Sequence, residues 1–269
     1  MINKFNEIRK TLKEKNPLIH SITNPISINQ CANAVLAVGG RPIMAEHPLE
    51  VAEITETSKA LMLNLGNVTD VRMKSMLISA GICHKNNIPF VYDAVGVACS
   101  ELRRNYTNQL ISKYSPAVIK GNYAEIKALY NDSYRAEGVD TDKSLKVDDI
   151  EKICVLLSKK YGSIILASGK EDIVTDGKTV VYIKNGTEML GNITGTGCML
   201  GAICASYVSV CPKIEAVALS CVVLGICGEM AQTSEGNGTF FLNLMDKLST
   251  IRDEDIIEKT KMEVKNYGT

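Results

Sequence analysis

Residues 190–211 read LGNITGTGCMLGAICASYVSVC and carry the strongest functional signal in the chain. An apolar, strand-like segment leads into a turn bracketed by Gly195 and Gly197, and the turn opens onto a helix of small and apolar residues. Glycine lets the backbone approach a ligand closely. The first N–H groups of a helix lack intrahelical partners and lie at the positive end of its dipole, so they favour anions. The pattern predicts a phosphate site, although a turn of this kind also serves simply to pack a helix closely on a strand.

Cys198 lies on this turn, at the start of the predicted helix. A thiol at a helix N-terminus is expected to have a lowered pKa, and it could then accept the proton of a substrate hydroxyl. Phosphoryl transfer depends mainly on positioning and on stabilisation of charge, and it needs little help from a base. We therefore expect Gly195, Gly197 and Cys198 to be catalytic residues.

Composition excludes several classes of protein. The 269 residues include 30 basic and 30 acidic side chains, so the net charge is zero, and no basic run long enough to track a nucleic acid occurs. The two apolar stretches between residues 199 and 228 are each too short to span a membrane and are predicted to be core helices. Nine cysteines lie mostly in apolar helical patterns, with no CxxC pair. We expect a cytoplasmic protein that binds neither nucleic acid nor membrane.

Alternating apolar strands and helices of 10 to 15 residues predict one α/β domain over residues 1–269, with three α/β/α layers and a mostly parallel sheet. Residues 172–184 read as a hairpin around Asp176-Gly177, which makes one edge of the sheet antiparallel. The polar stretch 131–146 is predicted to be a surface insertion, and the last helix is predicted over 253–267.

Ligands of open α/β sheets bind beyond the carboxyl ends of the strands. Asp93 directly follows the buried strand IPFVY, and with Glu125 it offers two carboxylates for Mg²⁺. Glu125 has an alternative interpretation as an exposed first-turn glutamate that the helix dipole favours. Lys120 ends another strand and could meet phosphate oxygens or simply be solvated. His20 and His47 are expected to have structural roles.

Five segments resemble the hydroxyethylthiazole kinase family of the ribokinase-like superfamily. They are PLIHSITNPISINQCANAVLAVGGRPIMA, ALMLNLGN, FVYDAVGV, VIKGNYAEI and NITGTGCMLGAICASYV. With GNGTFFLNLMDKL they cover most of residues 17–248. The cysteine at 198 is specific, because other ribokinase-like kinases usually have aspartate there.

The resemblance implies transfer of the γ-phosphate of ATP to the hydroxyl of 4-methyl-5-(2-hydroxyethyl)thiazole, a salvage step of thiamine biosynthesis. It implies a homotrimer with active sites between subunits. The implied residues are Met44, Asn24 and Gly195 for the thiazole, Lys120 and Ser168 for ATP, Asp93 and Glu125 for Mg²⁺, and Cys198 beside the reacting hydroxyl. Asn122 lies at the same strand end as Lys120 and is also expected to bind ATP.

The chain departs from the family pattern DPVGxG, which reads DAVGVA over residues 93–98. Loss of a glycine at position 98 is expected to restrict how closely the backbone approaches a nucleotide. Two alternatives therefore stay open. The protein could phosphorylate another small heteroaromatic alcohol of the pyridoxal or hydroxymethylpyrimidine type, or it could be a non-catalytic sensor of thiazole or nucleotide.

Overall fold

A sheet of nine strands forms the centre of the computed structural model, which describes residues 1–136 and 146–267. Its strands are β1 (Leu18–Ile22), β2 (Arg41–Ile43), β3 (Ala60–Asn64), β4 (Phe90–Asp93), β5 (Val118–Asn122), β6 (Ile164–Ser168), β7 (Asp172–Thr175), β8 (Thr179–Ile183) and β9 (Met262–Asn266). Their spatial order is β2-β1-β3-β4-β5-β6-β7-β8-β9. Strands β1 to β6 pair in parallel, and the pairs from β6 to β9 are antiparallel. The predicted sheet, with its antiparallel edge, is confirmed.

Helices cover both faces of the sheet. They are α1 (Ile2–Lys15), α2 (Ile28–Val38), α3 (Val51–Thr57), α4 (Asp70–Asn86), α5 (Glu101–Tyr114), α6 (Tyr123–Tyr130), α7 (Val147–Tyr161), α8 (Thr196–Val208), α9 (Ile214–Ala231), α10 (Asn237–Thr250) and α11 (Asp253–Lys259). Residues of α1, α2 and α8 to α11 form one apolar cluster with the sheet, and residues of α3 to α7 form the other. The three-layer α/β/α architecture follows.

Strand β3 shows why the central strands are continuously apolar. Ala60 and Met62 point into the first cluster, whereas Leu61 and Leu63 point into the second, and all four are fully buried. Successive side chains of a strand face opposite sides, so a strand covered on both faces needs an unbroken apolar run. Burial of each leucine contributes about 2 kcal/mol.

Helix α9 meets the length and hydropathy expected of a membrane span, the one such helix among the described residues. Most of it is buried within the protein, where it packs against α8 and α10. It is therefore a core helix, as predicted.

Two predicted elements are wrong. The strand-like segment before Thr194 is a 3-10 helix over Glu188–Asn192, because the Thr187 hydroxyl accepts the Met189 N–H and starts a helical turn there. The helix predicted over 253–267 ends at Lys259, and Met262–Asn266 instead pairs with β8 as an edge strand. The free edge of β8 supplies backbone partners that the local sequence does not reveal.

Most of the predicted insertion, residues 137–145, lies outside the described residues.

Candidate functional site

Four of the predicted site residues meet at the carboxyl edge of the sheet. Asp93 ends β4, Lys120 lies in β5, Asn24 follows β1, and Cys198 is the third residue of α8. Parallel neighbours in the order β1-β3-β4-β5 bring the strand ends side by side. The turn from Gly195 to Gly197, at the start of α8, borders the site on the face of the sheet that α1, α2 and α8 to α11 cover.

Asp93 and Lys120 form a buried ion pair. The Lys120 Nζ donates to Asp93 Oδ2 at 3.0 Å, and Asn64 Nδ2 donates to the same oxygen at 3.0 Å. Burial lowers the pKa of Lys120, but the carboxylates of Asp93 and Glu125 outweigh it and raise that pKa, so the ammonium stays charged. A buried cation at a strand end can bind phosphate oxygens.

The sulfur of Cys198 lies between two asparagine amides. Asn24 Nδ2 is 3.4 Å from it and Asn64 Nδ2 is 3.3 Å from it, and Asn24 Nδ2 also donates to Asn64 Oδ1 at 2.9 Å. The expected lowering of the Cys198 pKa is wrong. Burial and the charge of Asp93 raise this pKa, and they outweigh hydrogen bonds from Ser27 and Asn24 and the charge of Lys120. At neutral pH the residue is a thiol.

The glycines around the start of α8 serve different ends. Gly195 precedes the helix with a φ of +95°, a left-handed conformation that side chains disfavour. A Cβ on Gly197 would have the Lys120 Nζ, at 3.8 Å, as its near neighbour, so the space before Gly197 is open and faces a cation. A Cβ on Gly201 would lie only 2.7 Å from Met62 Cε. Close packing therefore explains Gly201, whereas Gly197 borders a space that suits an anion.

Glu125 is 4% exposed, so its interpretation as an exposed first-turn glutamate is wrong. Its Oε1 accepts the Gly96 N–H at 2.8 Å and its Oε2 accepts the Asn122 N–H at 2.7 Å. Burial, followed by the charge of Asp93, raises the pKa of Glu125 to about 7. The carboxyl group thus ties the segment after β4 to the start of α6.

The remaining predicted residues lie farther along this edge. The Asn122 side chain caps α6 by accepting the Glu125 N–H at 2.9 Å, and the Ser168 hydroxyl is 3.4 Å from the Gly121 carbonyl oxygen. Met44 follows β2 and is half-buried. Beside it, the carbonyl of Ala45 accepts from His20 Nε2 at 2.9 Å.

Of the two histidines considered in the sequence, His20 has a structural role. His20 is fully buried, and its ring nitrogens contact the Thr55 hydroxyl and the Ala45 carbonyl, so it holds the chain beside Met44 in place. Burial lowers the pKa of His20, so the ring is neutral at pH 7. His47 is exposed.

The departures in segment 93–98 cause no backbone strain. Neither Ala94 nor Ala98 has a positive φ, and both are buried. Gly96, which the pattern retains, has a φ of +78° and is the position where glycine is required. The Arg104 guanidinium donates to the Val97 and Ala98 carbonyls and thereby holds the segment in place. A side chain at position 98 is therefore accommodated.

Asn64 is the site residue that the sequence reasoning missed. It is fully buried, and its amide contacts Asp93, Cys198 and Asn24. The asparagine within the otherwise apolar run ALMLNL could have revealed this role, because a polar group on a buried strand needs hydrogen-bond partners.

The carboxylates fit a magnesium ion. Asp93 Oδ1 is buried and has no hydrogen-bond partner in the described part of the chain. Carboxylate oxygen is the ligand that Mg²⁺ prefers, and this ion is usually held by one or two carboxylates together with substrate phosphates. No cluster of three or more metal-binding side chains occurs within residues 1–136 and 146–267.

A parallel sheet edge with a buried lysine, two carboxylates and an open helix N-terminus defines a phosphate-handling α/β enzyme. The sequence profile described as the hydroxyethylthiazole kinase family matches residues 9–254. The chain is 49% identical over 261 residues to hydroxyethylthiazole kinase 2 of Clostridium botulinum strain Langeland, covering 95% of this chain and 98% of that one. It is 43% identical over 258 residues to hydroxyethylthiazole kinase of Finegoldia magna, covering 96% of each.

The fold comparison agrees. The solved structure of a hydroxyethylthiazole kinase protein from Pyrococcus horikoshii OT3 superposes with a TM-score of 0.90 at 29% identity, over 98% of this chain and 100% of that chain. The chain therefore belongs to the hydroxyethylthiazole kinase family.

Proposed function

We propose that the protein transfers the γ-phosphate of ATP to the hydroxyl of 4-methyl-5-(2-hydroxyethyl)thiazole, a salvage step of thiamine biosynthesis. One observation carries the proposal. The Cys198 sulfur, the amide pair of Asn24 and Asn64, and the Lys120–Asp93 ion pair form one continuous set of contacts next to the start of α8. These contacts connect the residues that we propose bind the alcohol with the residues that we propose bind the phosphate.

The alcohol side comprises Met44, Asn24 and Gly195. Half-buried Met44 supplies an apolar, polarisable surface that suits a thiazole ring. Gly195 keeps the turn close to the ring because no side chain projects from it. Two observations support this assignment. Gly195 has a left-handed φ, and a Cβ added to Gly195 would lie only 3.0 Å from the Cβ of Ser27.

The phosphate side comprises Lys120, Ser168 and Asn122, together with Gly197. The charged Lys120 ammonium faces the open space before Gly197, where the transferring group would lie. The helix start adds N–H groups and its dipole to the same space. Asn122 ends β5, the strand that holds Lys120, and Ser168 ends the neighbouring strand β6, which suits contacts to the rest of ATP.

Asp93 and Glu125 would hold Mg²⁺, chiefly through the unpartnered Oδ1 of Asp93. The bound ion would neutralise charge on the phosphate oxygens. Glu125 has both oxygens on backbone N–H groups, so its second role is to keep the segment after Asp93 in place.

Cys198 acts as a thiol rather than as a strong base. In the transfer, the alcohol oxygen bonds to the γ-phosphorus while the bond from that phosphorus to the bridging oxygen of ADP breaks, and the alcohol proton passes late to an oxygen of the transferred phosphate or to water. A thiol whose pKa is raised by burial orients the hydroxyl but has little tendency to take that proton.

The assembly and compartment form part of the proposal. We expect a cytoplasmic homotrimer with active sites between subunits. Two large apolar side chains are exposed on neighbouring helices, Leu36 of α2 at 55% and Leu242 of α10 at 67%. The groove between these helices includes Gln30. The Gln30 amide nitrogen lies 3.4 Å from the carbonyl oxygen of Thr194, so this surface is next to the turn at the start of α8. Light scattering tests this point: a trimer is expected, and a monomer at micromolar concentration contradicts it.

A coupled assay of ADP release over a panel of alcohols tests the function. Hydroxyethylthiazole is expected to give the highest kcat/KM, above those of pyridoxal and hydroxymethylpyrimidine. Preference for either of the latter would favour a related kinase. Binding without turnover of any alcohol would favour a sensor. A sample freed of Mg²⁺ by chelation serves as the control and is expected to be inactive.

A further inference from the structure

Asn64 lies between the two halves of the proposed site. Its Nδ2 donates to Asp93 Oδ2 at 3.0 Å and to Cys198 Sγ at 3.3 Å. A primary amide nitrogen carries two hydrogens, so one group can make both contacts. Asn64 is the residue that contacts the carboxylate proposed for Mg²⁺ and the thiol proposed for the alcohol with one and the same atom.

The orientation of this amide is fixed from behind. Asn64 Oδ1 accepts the Gly66 N–H at 2.9 Å and Asn24 Nδ2 at 2.9 Å. A flipped amide would set its NH₂ group against two other donors, so the flip is strongly disfavoured. Asn24 is held in the same way, because its own Oδ1 accepts the Ile26 and Ser27 N–H groups.

Burial makes these contacts selective. Asn64 is fully buried, so water does not compete for its donors. A longer or a shorter side chain at this position would leave Asp93 Oδ2 or the Cys198 sulfur with one donor fewer.

We infer that Asn64 is a positioning residue for the transfer reaction. It holds the Cys198 sulfur and the Asp93 carboxylate at a fixed separation, so that the alcohol and the phosphoryl group meet in line. The inference rests on the proposed function, because it assigns the alcohol to the thiol side. Phosphoryl transfer depends mostly on such alignment, and small displacements of the reacting groups slow it steeply.

Asn64→Ser is the informative variant. A serine hydroxyl can accept the N–H two residues ahead, as in an ST-turn, so the contact with Gly66 survives. The amide nitrogen is lost, and with it the donors to Asp93 and Cys198. Asn67→Gly is the control, since Asn67 is an exposed asparagine three residues after Asn64, and glycine tolerates its left-handed φ of +46°.

We expect Asn64→Ser to lower kcat for the alcohol about 10- to 100-fold and to change the KM for ATP less than about threefold. Asn67→Gly is expected to keep wild-type kcat. A double-mutant cycle with Cys198→Ala measures the coupling between the two substitutions in kcat, which a purely structural role of Asn64 would not produce. The loss in the double variant is expected to be at least about fivefold smaller than the product of the two single losses.

Multiplicative losses in the cycle, or wild-type kcat for Asn64→Ser, would overturn the inference while leaving the proposed kinase function intact. Absence of turnover by the wild-type protein would overturn both. If Asn64→Ser does not fold, Asn64→Thr takes its place in the cycle with the same criterion, because its hydroxyl can still accept the Gly66 N–H.

Discussion

The first turn of α8 and the turns that follow it are both rich in small residues, but the first turn borders an open space whereas the later turns pack against the sheet. Gly197 borders an open space that faces the Lys120 ammonium, whereas four residues later Gly201 packs against Met62. Cys198 is half-buried among amides, whereas Cys204 is fully buried in the apolar cluster. The small residues of the first turn make room for a ligand, and those of the later turns make room for the sheet.

Gly197→Val should have the largest effect on activity. The valine side chain would occupy the space before Lys120, so we expect kcat/KM to fall by about 10³-fold or more, which corresponds to about 4 kcal/mol of transition-state stabilisation. Gly197 is exposed, and Lys120 Nζ at 3.8 Å is the neighbour that an added Cβ would meet among the described residues, so the thermal midpoint should stay within about 2 °C of wild type. Steady-state kinetics and a thermal melt measure the two quantities. Normal activity would remove Gly197 from the transfer site.

Glu125→Gln tests the carboxylate edge through pH. The raised pKa, about 7, means that folded protein binds the Glu125 proton more tightly than unfolded protein does. The stability that Glu125 contributes is therefore fully present below the ordinary pKa near 4.5 and is lost as pH rises through 7. We expect the free energy of unfolding of wild type, relative to Glu125→Gln, to fall by about 3 kcal/mol between pH 4.5 and pH 8.

Urea unfolding at several pH values, without Mg²⁺, measures this difference. A difference that is flat with pH would mean that Glu125 titrates normally and is not held as described. Using the difference between the two proteins removes the contribution of every other titrating group.

Gly201→Val tests the packing half of the comparison. The new side chain would clash with buried Met62, so we expect a loss of about 2 kcal/mol in unfolding free energy. An added Cβ would also lie 3.7 Å from Asp93 Oδ2 and 3.9 Å from Lys120 Cδ, so we expect kcat to fall as well. Gly238→Val is the control, because a Cβ on Gly238 meets no neighbouring atom within 4 Å. Equal stability of the two variants would contradict the tight contact between α8 and β3.

Cys198→Ser and Cys204→Ser give the smallest contrast. If Cys198 orients the hydroxyl as a thiol, serine should replace it in part, and kcat should fall only about 10-fold. Cys204→Ser should leave kcat unchanged and cost about 1 kcal/mol of stability, because it buries a hydroxyl. Complete loss of activity in Cys198→Ser would instead indicate an obligatory thiolate.

Local patterns in the sequence predict much of the fold. Helix α6 begins and ends at the predicted residues, and β4 delivers Asp93 to the carboxyl edge as expected. Periodic apolar runs and strong capping residues determine such elements locally. Strand β9 was mistaken for helix because its partner, β8, lies about 80 residues earlier in the chain.

The chemistry of the site depended on contacts that the sequence does not encode locally. Asn64 meets Asp93 across 29 residues and Cys198 across 134. The pKa of Cys198 was predicted in the wrong direction because the helix start was visible in the sequence, whereas burial and the nearness of Asp93 were not. Strand ends and the family resemblance were sufficient to predict the identities of most of the proposed site residues.

A crystal structure with Mg²⁺, ADP, aluminium fluoride and hydroxyethylthiazole tests the central claim most directly. The account predicts the fluoride complex in the space before Gly197, about 3 Å from both Lys120 Nζ and a backbone N–H of the first turn of α8. The thiazole hydroxyl should lie on the side of Cys198. A fluoride complex bound elsewhere, with Lys120 still paired only to Asp93, would contradict the assignment of this turn as the phosphoryl-transfer centre.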